Sequence, residues 1–167
     1  MSNCIGFKPV ADINSQILIL GSMPSIASLE HQQYYAHPQN RFWRLMAGLL
    51  NYKKVPVDYN DRLKMLLDNN IALWDSIASC RREGSLDSAI EDEIPNDISM
   101  FLQEHSAIKT ICFNGGKAYQ CFKKYNKQLL KSSCYTFMPM PSTSPANARF
   151  KLEMLLSVWQ ACLETNN

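Results

Sequence analysis

The sequence has no apolar run long enough to cross a membrane, and none of its six cysteines belongs to a C-x-x-C pair. A bilayer-spanning helix needs about 20 apolar residues, and zinc or iron–sulfur sites usually need closely spaced cysteines. The N-terminus also lacks the basic start and apolar core of a signal peptide. We therefore expect a soluble cytoplasmic chain with reduced thiols and with no metal or other cofactor.

Repeats, low-complexity segments and linkers are also missing from the 167 residues. Hydrophobic residues make up 46% of the chain and charged residues 19%, which is an ordinary globular composition. A chain of this length can bury a sizeable core by itself. The sequence therefore predicts a single domain over residues 1–167.

Acidic and basic residues are unevenly distributed, although the formal net charge is only +2. Residues 83–104 contain seven acids and no lysine or arginine, whereas residues 105–152 contain no acid. The basic residues of the second stretch are Lys109, Lys117, Lys123, Lys124, Lys127, Lys131, Arg149 and Lys151. They could hold a polyanion through its phosphates, or they could be solvated charges on helix faces.

Four short apolar runs without alternation are typical of buried parallel strands, and each ends in a turn-prone segment. They cover residues 16–20, 71–74, 108–113 and 134–138. Amphipathic helix patterns cover residues 41–50, 59–69, 117–126 and 146–164. Ser144 as a cap and Pro145 as the first helical residue mark the start of the last helix. The order predicts an α/β sandwich whose ligands bind beyond the carboxyl ends of the strands.

The segment after the first strand carries side chains suited to a pocket for a planar base. Gly21 allows a sharp exit from the strand, and Tyr35 and Asn40 then precede a helix. Asn40 could instead cap that helix, and Phe42 and Trp43 could belong to the core.

The other strand ends offer further polar groups, each with a plainer interpretation beside the functional one. Asp75 could accept a ring N–H, or it could form a salt bridge with Arg81 or Arg82. Asn114 can both donate and accept at a base edge, or it could be a turn asparagine. The three hydroxyls at 142–144 would form a phosphate site at a helix N-terminus, or an ordinary capped turn.

One string in particular, YAHPQNRFW at 35–43, resembles the H-P-x-N-R-F-W segment of mismatch-specific uracil glycosylases. Four shorter strings accompany it: GSMPS at 21–25, SLD at 85–87, FNG at 113–115 and PSTSPAN at 141–147. Together they are similar to the hypoxanthine-DNA glycosylase (DNA-deoxyinosine glycosylase) branch of the uracil-DNA glycosylase superfamily. The resemblance runs from about residue 17 to the last helix.

The resemblance implies a three-layer α/β sandwich with a central four-stranded parallel sheet and a DNA-binding face at the strand carboxyl ends. It implies a monomeric base-excision repair enzyme that acts on double-stranded DNA containing a deaminated base, with hypoxanthine as the expected base. The loop at 142–147 would enter the minor groove and push the damaged nucleotide out. Water rather than an amine would attack, so the enzyme would be monofunctional.

The catalytic residue is expected away from its usual place in the superfamily. Other branches put an Asp or Asn two residues after the first-motif glycine, where this sequence has Met23. The resemblance puts the catalytic amide at Asn40, which would orient water while fixed dipoles stabilise the departing base. Tyr35 would stack on that base. The other base-binding candidates are Ser22, Met23, Phe42, Asp75 and Asn114, and the DNA-binding candidates are Ser25, Lys117, Ser142, Thr143, Ser144 and Asn147.

Three alternatives remain open at the level of sequence. The base could be uracil, or several deaminated bases could be removed. The protein could be a non-catalytic reader of damaged DNA that lost its chemistry with Met23. It could also act on a free nucleoside or nucleotide, although neither a P-loop nor a G-x-G-x-x-G fingerprint is present.

Overall fold

A four-stranded parallel sheet forms the centre of the structure, a computed structural model that describes residues 1–164. Its strands are β2 (Ile17–Gly21), β3 (Ile71–Asp75), β6 (Thr110–Asn114) and β7 (Thr136–Met140), in the order β3-β2-β6-β7. The four apolar runs of the sequence are these strands, each within two residues of its predicted bounds. The predicted parallel sheet is therefore confirmed.

A second, smaller sheet was not predicted. It is antiparallel and consists of β1 (Ser2–Ile5), β4 (Ile77–Arg82) and β5 (Glu91–Pro95), in the order β1-β4-β5. The sequence gives little sign of it because β5 is acidic and largely exposed, so it lacks the apolar pattern of a buried strand.

Helices cover both faces of the parallel sheet. They are α1 (Ile26–His31), α2 (Phe42–Leu49), α3 (Tyr59–Asp68), α4 (Ile98–Glu104), α5 (Gly116–Tyr125), α6 (Lys127–Leu130), α7 (Leu152–Trp159) and α8 (Ala161–Glu164), with a 3-10 turn at Asp87–Ala89. Successive strand residues point to opposite faces, so Ile17 and Ile19 pack against α2, α3 and α7, while Leu18 and Leu20 pack against α4 and α5. This confirms the three-layer sandwich. No helix within residues 1–164 has the length and apolar content needed to cross a membrane.

The last helix begins later than predicted, and this changes the interpretation of the preceding hydroxyls. Ser144 and Pro145 lie in a turn, α7 starts only at Leu152, and a break at Gln160 separates it from α8. The carbonyls of Ser144 and Asn147 accept hydrogen bonds from the Arg41 guanidinium. The predicted phosphate site at a helix N-terminus is therefore wrong, because no helix begins at residues 142–146.

Trp159 connects the core to this irregular segment. Its side chain is fully buried, and its indole Nε1 donates to the carbonyl of Pro141 over 3.0 Å. Trp159→Phe removes that donor and leaves both a void and an unpaired carbonyl. We expect the free energy of unfolding to fall by about 2 kcal/mol in urea denaturation. Val158→Ala, on the exposed side of α7, is the control and should change it by less than about 0.5 kcal/mol. Equal stability of Trp159→Phe and the unaltered protein would contradict this account.

Candidate active site

A cavity of about 690 Å³ opens at the carboxyl ends of the parallel strands, where ligand sites of such sheets are expected. The carboxyl ends of all four strands, or the loops that follow them, contribute to its wall. The predicted site residues that line it are Ser22, Met23, Ser25, Tyr35, Asn40, Asp75, Asn114, Ser142, Thr143, Ser144 and Asn147. Residues far apart in the sequence therefore converge on one space.

Two predicted site residues lie outside the cavity wall. Phe42 is fully buried, and its ring stacks on Tyr35 with centroids 4.0 Å apart, so it can act on the cavity only through Tyr35. Lys117 forms an ion pair with Glu93, with Nζ and Oε2 separated by 2.7 Å. Glu93 also pairs with Lys124. Of the basic stretch at 105–152, Arg149 is the residue that lines the cavity.

Tyr35 occupies a constrained position beside the end of β2. Its φ angle is 54°, in the left-handed region that bulky residues rarely adopt. One face of its ring is covered by Phe42, and the residue lines the cavity. Its hydroxyl approaches Gly21 so closely that a Cβ there would be 3.0 Å from it, and the same Cβ would collide with Asp75 Oδ1. Only glycine at position 21 leaves room for this arrangement.

Asp75 is a buried carboxyl at the end of β3, directly opposite Gly21 in the strand register. Asp75 Oδ2 and the Tyr35 hydroxyl form no hydrogen bond with the described residues. Burial raises the pKa of Asp75 to about 7, the negative charge of Asp87 adds to the rise, and the Arg82 guanidinium opposes it. A buried titratable group with a shifted pKa in a cleft is typical of a functional site.

The alternative interpretation of Asp75 as a salt-bridge partner is wrong. Arg81 instead pairs with Asp92, with Nη1 and Oδ2 3.0 Å apart. Arg82 is buried and donates from Nη2 to the carbonyl of Pro24. Neither arginine is within ion-pair distance of Asp75.

Asn40 lines the cavity, and its amide oxygen is occupied by two hydrogen-bond donors. Oδ1 accepts from the backbone N–H of Phe42 and from the Thr143 hydroxyl, both over 2.9 Å. A backbone N–H can only donate, so the atom facing it must be the carbonyl oxygen. Asn40 therefore binds the backbone N–H of the first residue of α2 and also lines the cavity. Its Nδ2 makes no hydrogen bond to residues 1–164.

Asn114, at the end of β6, holds the loop after β7. Its Oδ1 accepts from the backbone N–H of Thr143 over 2.9 Å, and its Nδ2 donates to the Thr143 hydroxyl over 3.0 Å. Thr143 is fully buried, so its predicted direct contact with DNA does not fit this position. Asn114 is more than a turn residue, but at most one of its N–H groups remains for a base edge.

Sequence reasoning missed Arg41, which fixes the backbone of the same loop. Its Nε donates to the Thr143 carbonyl over 3.3 Å, and its Nη2 donates to those of Ser144 and Asn147 over 2.6 and 3.1 Å. Asn147 Nδ2 closes the loop on the Ser142 carbonyl over 3.0 Å. The only sign of this role in the sequence was that Arg41 directly follows Asn40, because adjacent residues can bind the same neighbouring loop.

The loop containing Asp87 was also missed as part of the wall. Ser22 donates its hydroxyl hydrogen bond to Asp87 Oδ1 over 2.6 Å, and Ser85 Oγ accepts from the backbone N–H of Ile26. Asp87 as a whole residue is exposed and lines the cavity, and partial burial of its carboxyl raises its pKa. The hydrogen bond from Ser22 opposes that rise.

Two other predicted residues on the exit from β2 have structural roles. Met23 is buried and packs against the small sheet while it lines the cavity. Ser25 caps α1, and its Oγ accepts from the backbone N–H of Ser28 over 3.2 Å.

Comparison with known proteins places this arrangement in a family. The model of the uracil DNA glycosylase superfamily matches residues 8–163. The chain belongs to this superfamily. It is 42% identical over 156 residues to a protein of Methanosarcina acetivorans named hypoxanthine DNA glycosylase, covering 93% of this chain and 95% of that protein. It is 38% identical over 144 residues to a protein of the same name from Methanosarcina barkeri, covering 86% and 88%.

A solved structure supports the same assignment. The solution NMR structure of a Methanosarcina acetivorans protein ascribed to the uracil DNA glycosylases has a TM-score of 0.79 and 39% identity to this chain. It covers 96% of this chain and 99% of its own. The protein is thus a DNA glycosylase, and both the predicted family and the predicted fold are confirmed. A glycosylase can reach its bond only in a base that has left the duplex, so a cavity at the strand ends suits this glycosylase.

The unpaired Asp75 carboxyl should make this glycosylase less stable as pH rises. Its pKa is about 7 in the folded protein, against an ordinary value of 3.8. Between these two pH values the carboxyl of Asp75 is protonated in the folded state but ionised in the unfolded state. The free energy of unfolding therefore falls as the pH rises from about 3.8 to about 7. We expect Asp75→Asn to have a higher Tm than the unaltered protein at pH 8, by roughly 2–4 °C for each kcal/mol gained.

Thermal melts between pH 5 and pH 8 measure this effect. The difference in Tm should shrink towards pH 5, where Asp75 is already neutral in the folded protein. Asp61→Asn on the exposed side of α3 is the matched control and should show no such trend. A lower Tm for Asp75→Asn at pH 8 would rule out a destabilising buried charge.

Proposed function

We propose that this glycosylase removes hypoxanthine from deoxyinosine in double-stranded DNA by hydrolysing the N-glycosidic bond. The observation that carries the proposal is the combination of an unpaired buried carboxyl at Asp75 with amide donors at Asn40, both on one cavity. The two Methanosarcina relatives named hypoxanthine DNA glycosylase support the choice of base.

The polar groups of the cavity complement the edge of hypoxanthine. Hypoxanthine carries a donor at N1–H and acceptors at O6 and N7, whereas adenine carries no proton at N1. Ionised Asp75 would accept from N1–H, and neutral Asp75 or the Tyr35 hydroxyl would donate to O6. A pKa of about 7 for Asp75 makes both forms available near neutral pH. Uracil also carries an N–H between two carbonyls, so uracil is the second candidate base.

Asn40 would act on the reaction as a hydrogen-bond donor. Cleavage leaves negative charge on the departing base, and donors fixed in place stabilise it without reorganisation. Both lone pairs of Asn40 Oδ1 are used by Phe42 and Thr143, so its oxygen cannot accept a proton from water. Its Nδ2 would donate to the base or to the oxygen of the attacking water. This narrows the sequence-based expectation that Asn40 orients water.

Water is proposed as the nucleophile, which makes the enzyme monofunctional. An amine nucleophile would have to reach the sugar from the cavity wall, and the wall residues include no lysine. Lys117, the lysine next to the third strand end in sequence, is engaged by Glu93.

DNA would bind across the cavity mouth, with the loop at 142–147 entering the minor groove. Arg41 holds three carbonyls of this loop, so the loop can meet DNA as a preformed element. Arg149 at the cavity supplies a cation for a phosphate. We further propose that the enzyme acts as a monomer in the cytoplasm, where its six free cysteines remain reduced.

A panel of duplexes tests the choice of base. Oligonucleotides containing inosine, uracil, xanthine or a mismatched thymine are incubated with excess enzyme and then treated with alkali, which breaks the strand at abasic sites. We expect the inosine strand to be cut fastest, because Asp75 and Tyr35 are proposed to bind N1–H and O6 of hypoxanthine. Faster cutting at uracil would support the second candidate. Binding of inosine DNA without any abasic site would instead support a non-catalytic reader of damage.

Two substitutions at Asn40 test its role as a donor. Asn40→Ala should lower the single-turnover rate on inosine DNA by about 100- to 1,000-fold, the usual cost of losing such a donor, with little loss of DNA binding. Asn40→Asp keeps the oxygen that Phe42 and Thr143 hold but removes the N–H groups, so it should be equally slow.

The control for both Asn40 variants is Asn60→Ala, on the exposed start of α3, which should cut inosine DNA at the unaltered rate. Full activity of Asn40→Ala would remove Asn40 from the reaction. Full activity of Asn40→Asp would show that Asn40 acts as an acceptor.

A further inference from the structure

Thr143 sits inside the DNA-facing loop but is itself fully buried. Its neighbours Ser142 and Ser144 keep some exposure, as the loop runs over the cavity. A side chain without solvent access cannot form a hydrogen bond to a phosphate of bound DNA. Its hydroxyl must therefore serve the protein itself.

The direction of each hydrogen bond around Thr143 is determined by two backbone N–H groups. The N–H of Thr143 fixes which atom of Asn114 is the oxygen, so Asn114 Nδ2 is the donor to the Thr143 hydroxyl. That hydroxyl has one proton, and Asn40 Oδ1 cannot donate. The proton of Thr143 therefore lies on the bond to Asn40.

We infer that Thr143 is a positioning residue, which orients the Asn40 amide and couples that orientation to the loop at 142–147. The inference rests on the proposed role of Asn40. Phe42 N–H and Thr143 Oγ–H both donate to the amide oxygen of Asn40, which leaves Nδ2 of this cavity-lining residue without a hydrogen-bond partner among residues 1–164. Two donors on the oxygen also polarise the amide, which makes its N–H groups better donors.

The coupling arises because the loop and Asn40 share their anchors. The Thr143 carbonyl accepts from the backbone N–H of Arg41 over 3.1 Å and from Arg41 Nε. Arg41 follows Asn40 directly, so a shift of the loop at Thr143 moves both the hydroxyl that holds the amide and the backbone beside it. DNA that seats the loop would thereby set the donor geometry, and small misplacements of such groups can cost about 100-fold in rate.

The test compares Thr143→Val with Thr143→Ser. Valine has nearly the shape of threonine but lacks the hydroxyl, so Asn40 Oδ1 loses a donor and Asn114 Nδ2 loses an acceptor. Serine keeps both bonds. On an inosine duplex we expect the single-turnover rate of Thr143→Val to fall about 10- to 100-fold, with its Kd for the duplex within about threefold of the unaltered value. For Thr143→Ser, both the single-turnover rate and the Kd should stay within about threefold of the values for the unaltered protein.

Two results of this comparison would overturn the inference. They are an unaltered rate for Thr143→Val, and equal loss of rate in the valine and serine variants, which would point to the methyl group instead of the hydroxyl. If Thr143→Val does not fold, Asn114→Asp tests the same chain of bonds. This variant keeps the oxygen that accepts from the Thr143 N–H, but its second oxygen can also accept from the Thr143 hydroxyl. The hydroxyl proton should then turn from Asn40 Oδ1 to the new carboxylate, and the reaction should slow. An unaltered rate for a folded Asn114→Asp would overturn the inference.

Asn40→Ala separates this inference from the proposed function. An inactive Asn40→Ala beside a fully active Thr143→Val would refute the positioning role and leave the catalytic role of Asn40 intact. A fully active Asn40→Ala would refute both.

Discussion

The hydrogen bond from the Thr143 hydroxyl to the Asn40 carbonyl is the contact on which the geometry of the site depends. It joins the segment after β2 to the segment after β7, although β6 lies between these strands in the sheet. Asn114 at the end of β6 bridges that gap through two hydrogen bonds to Thr143. The strand order β3-β2-β6-β7 therefore explains why the amide, the loop and the bridging asparagine meet at one place.

Two features near this contact lower the stability of the fold and are uncommon in proteins without a binding site. Asp75 is buried without a hydrogen bond to Oδ2, and Tyr35 has a left-handed backbone. Each of these features is unfavourable by itself, and both lie on the same cavity. Gly21 makes their proximity possible because the Cβ of a larger residue would collide with Asp75 and crowd the Tyr35 hydroxyl. The concentration of unfavourable features at the strand ends agrees with a site that is completed by its substrate.

Much of the fold could be predicted because its central strands are continuous apolar runs, and such runs have few alternatives to a buried parallel sheet. The long string at 35–43 likewise identified the family, and the convergence of Asp75 and Asn114 followed from their positions at strand ends. The small sheet escaped prediction because the acidic strand β5 has no apolar pattern. The successful predictions all rested on patterns of neighbouring residues, and such patterns suffice where they alone determine the structure.

The errors have a common cause in long-range side-chain contacts. The last helix was predicted to begin near Pro145, but the Arg41 guanidinium, about a hundred residues earlier, takes the carbonyls of Ser144 and Asn147. Thr143 was expected to contact DNA because it belongs to the loop that the family resemblance places in the minor groove, yet it is buried and bonded to Asn40 and Asn114. Cap and loop signals describe only a few neighbouring residues, so they could not reveal either contact.

A crystal structure with a duplex containing 2′-fluoro-2′-deoxyinosine, whose glycosidic bond resists cleavage, would test the central claim most directly. The account predicts an extruded hypoxanthine in the cavity, with Asn40 Nδ2 about 3 Å from the base or from a water beside the sugar, and with the bond from Thr143 to Asn40 Oδ1 intact. A complex in which Asn40 Oδ1 turns towards the substrate, or in which the base occupies another site, would contradict it.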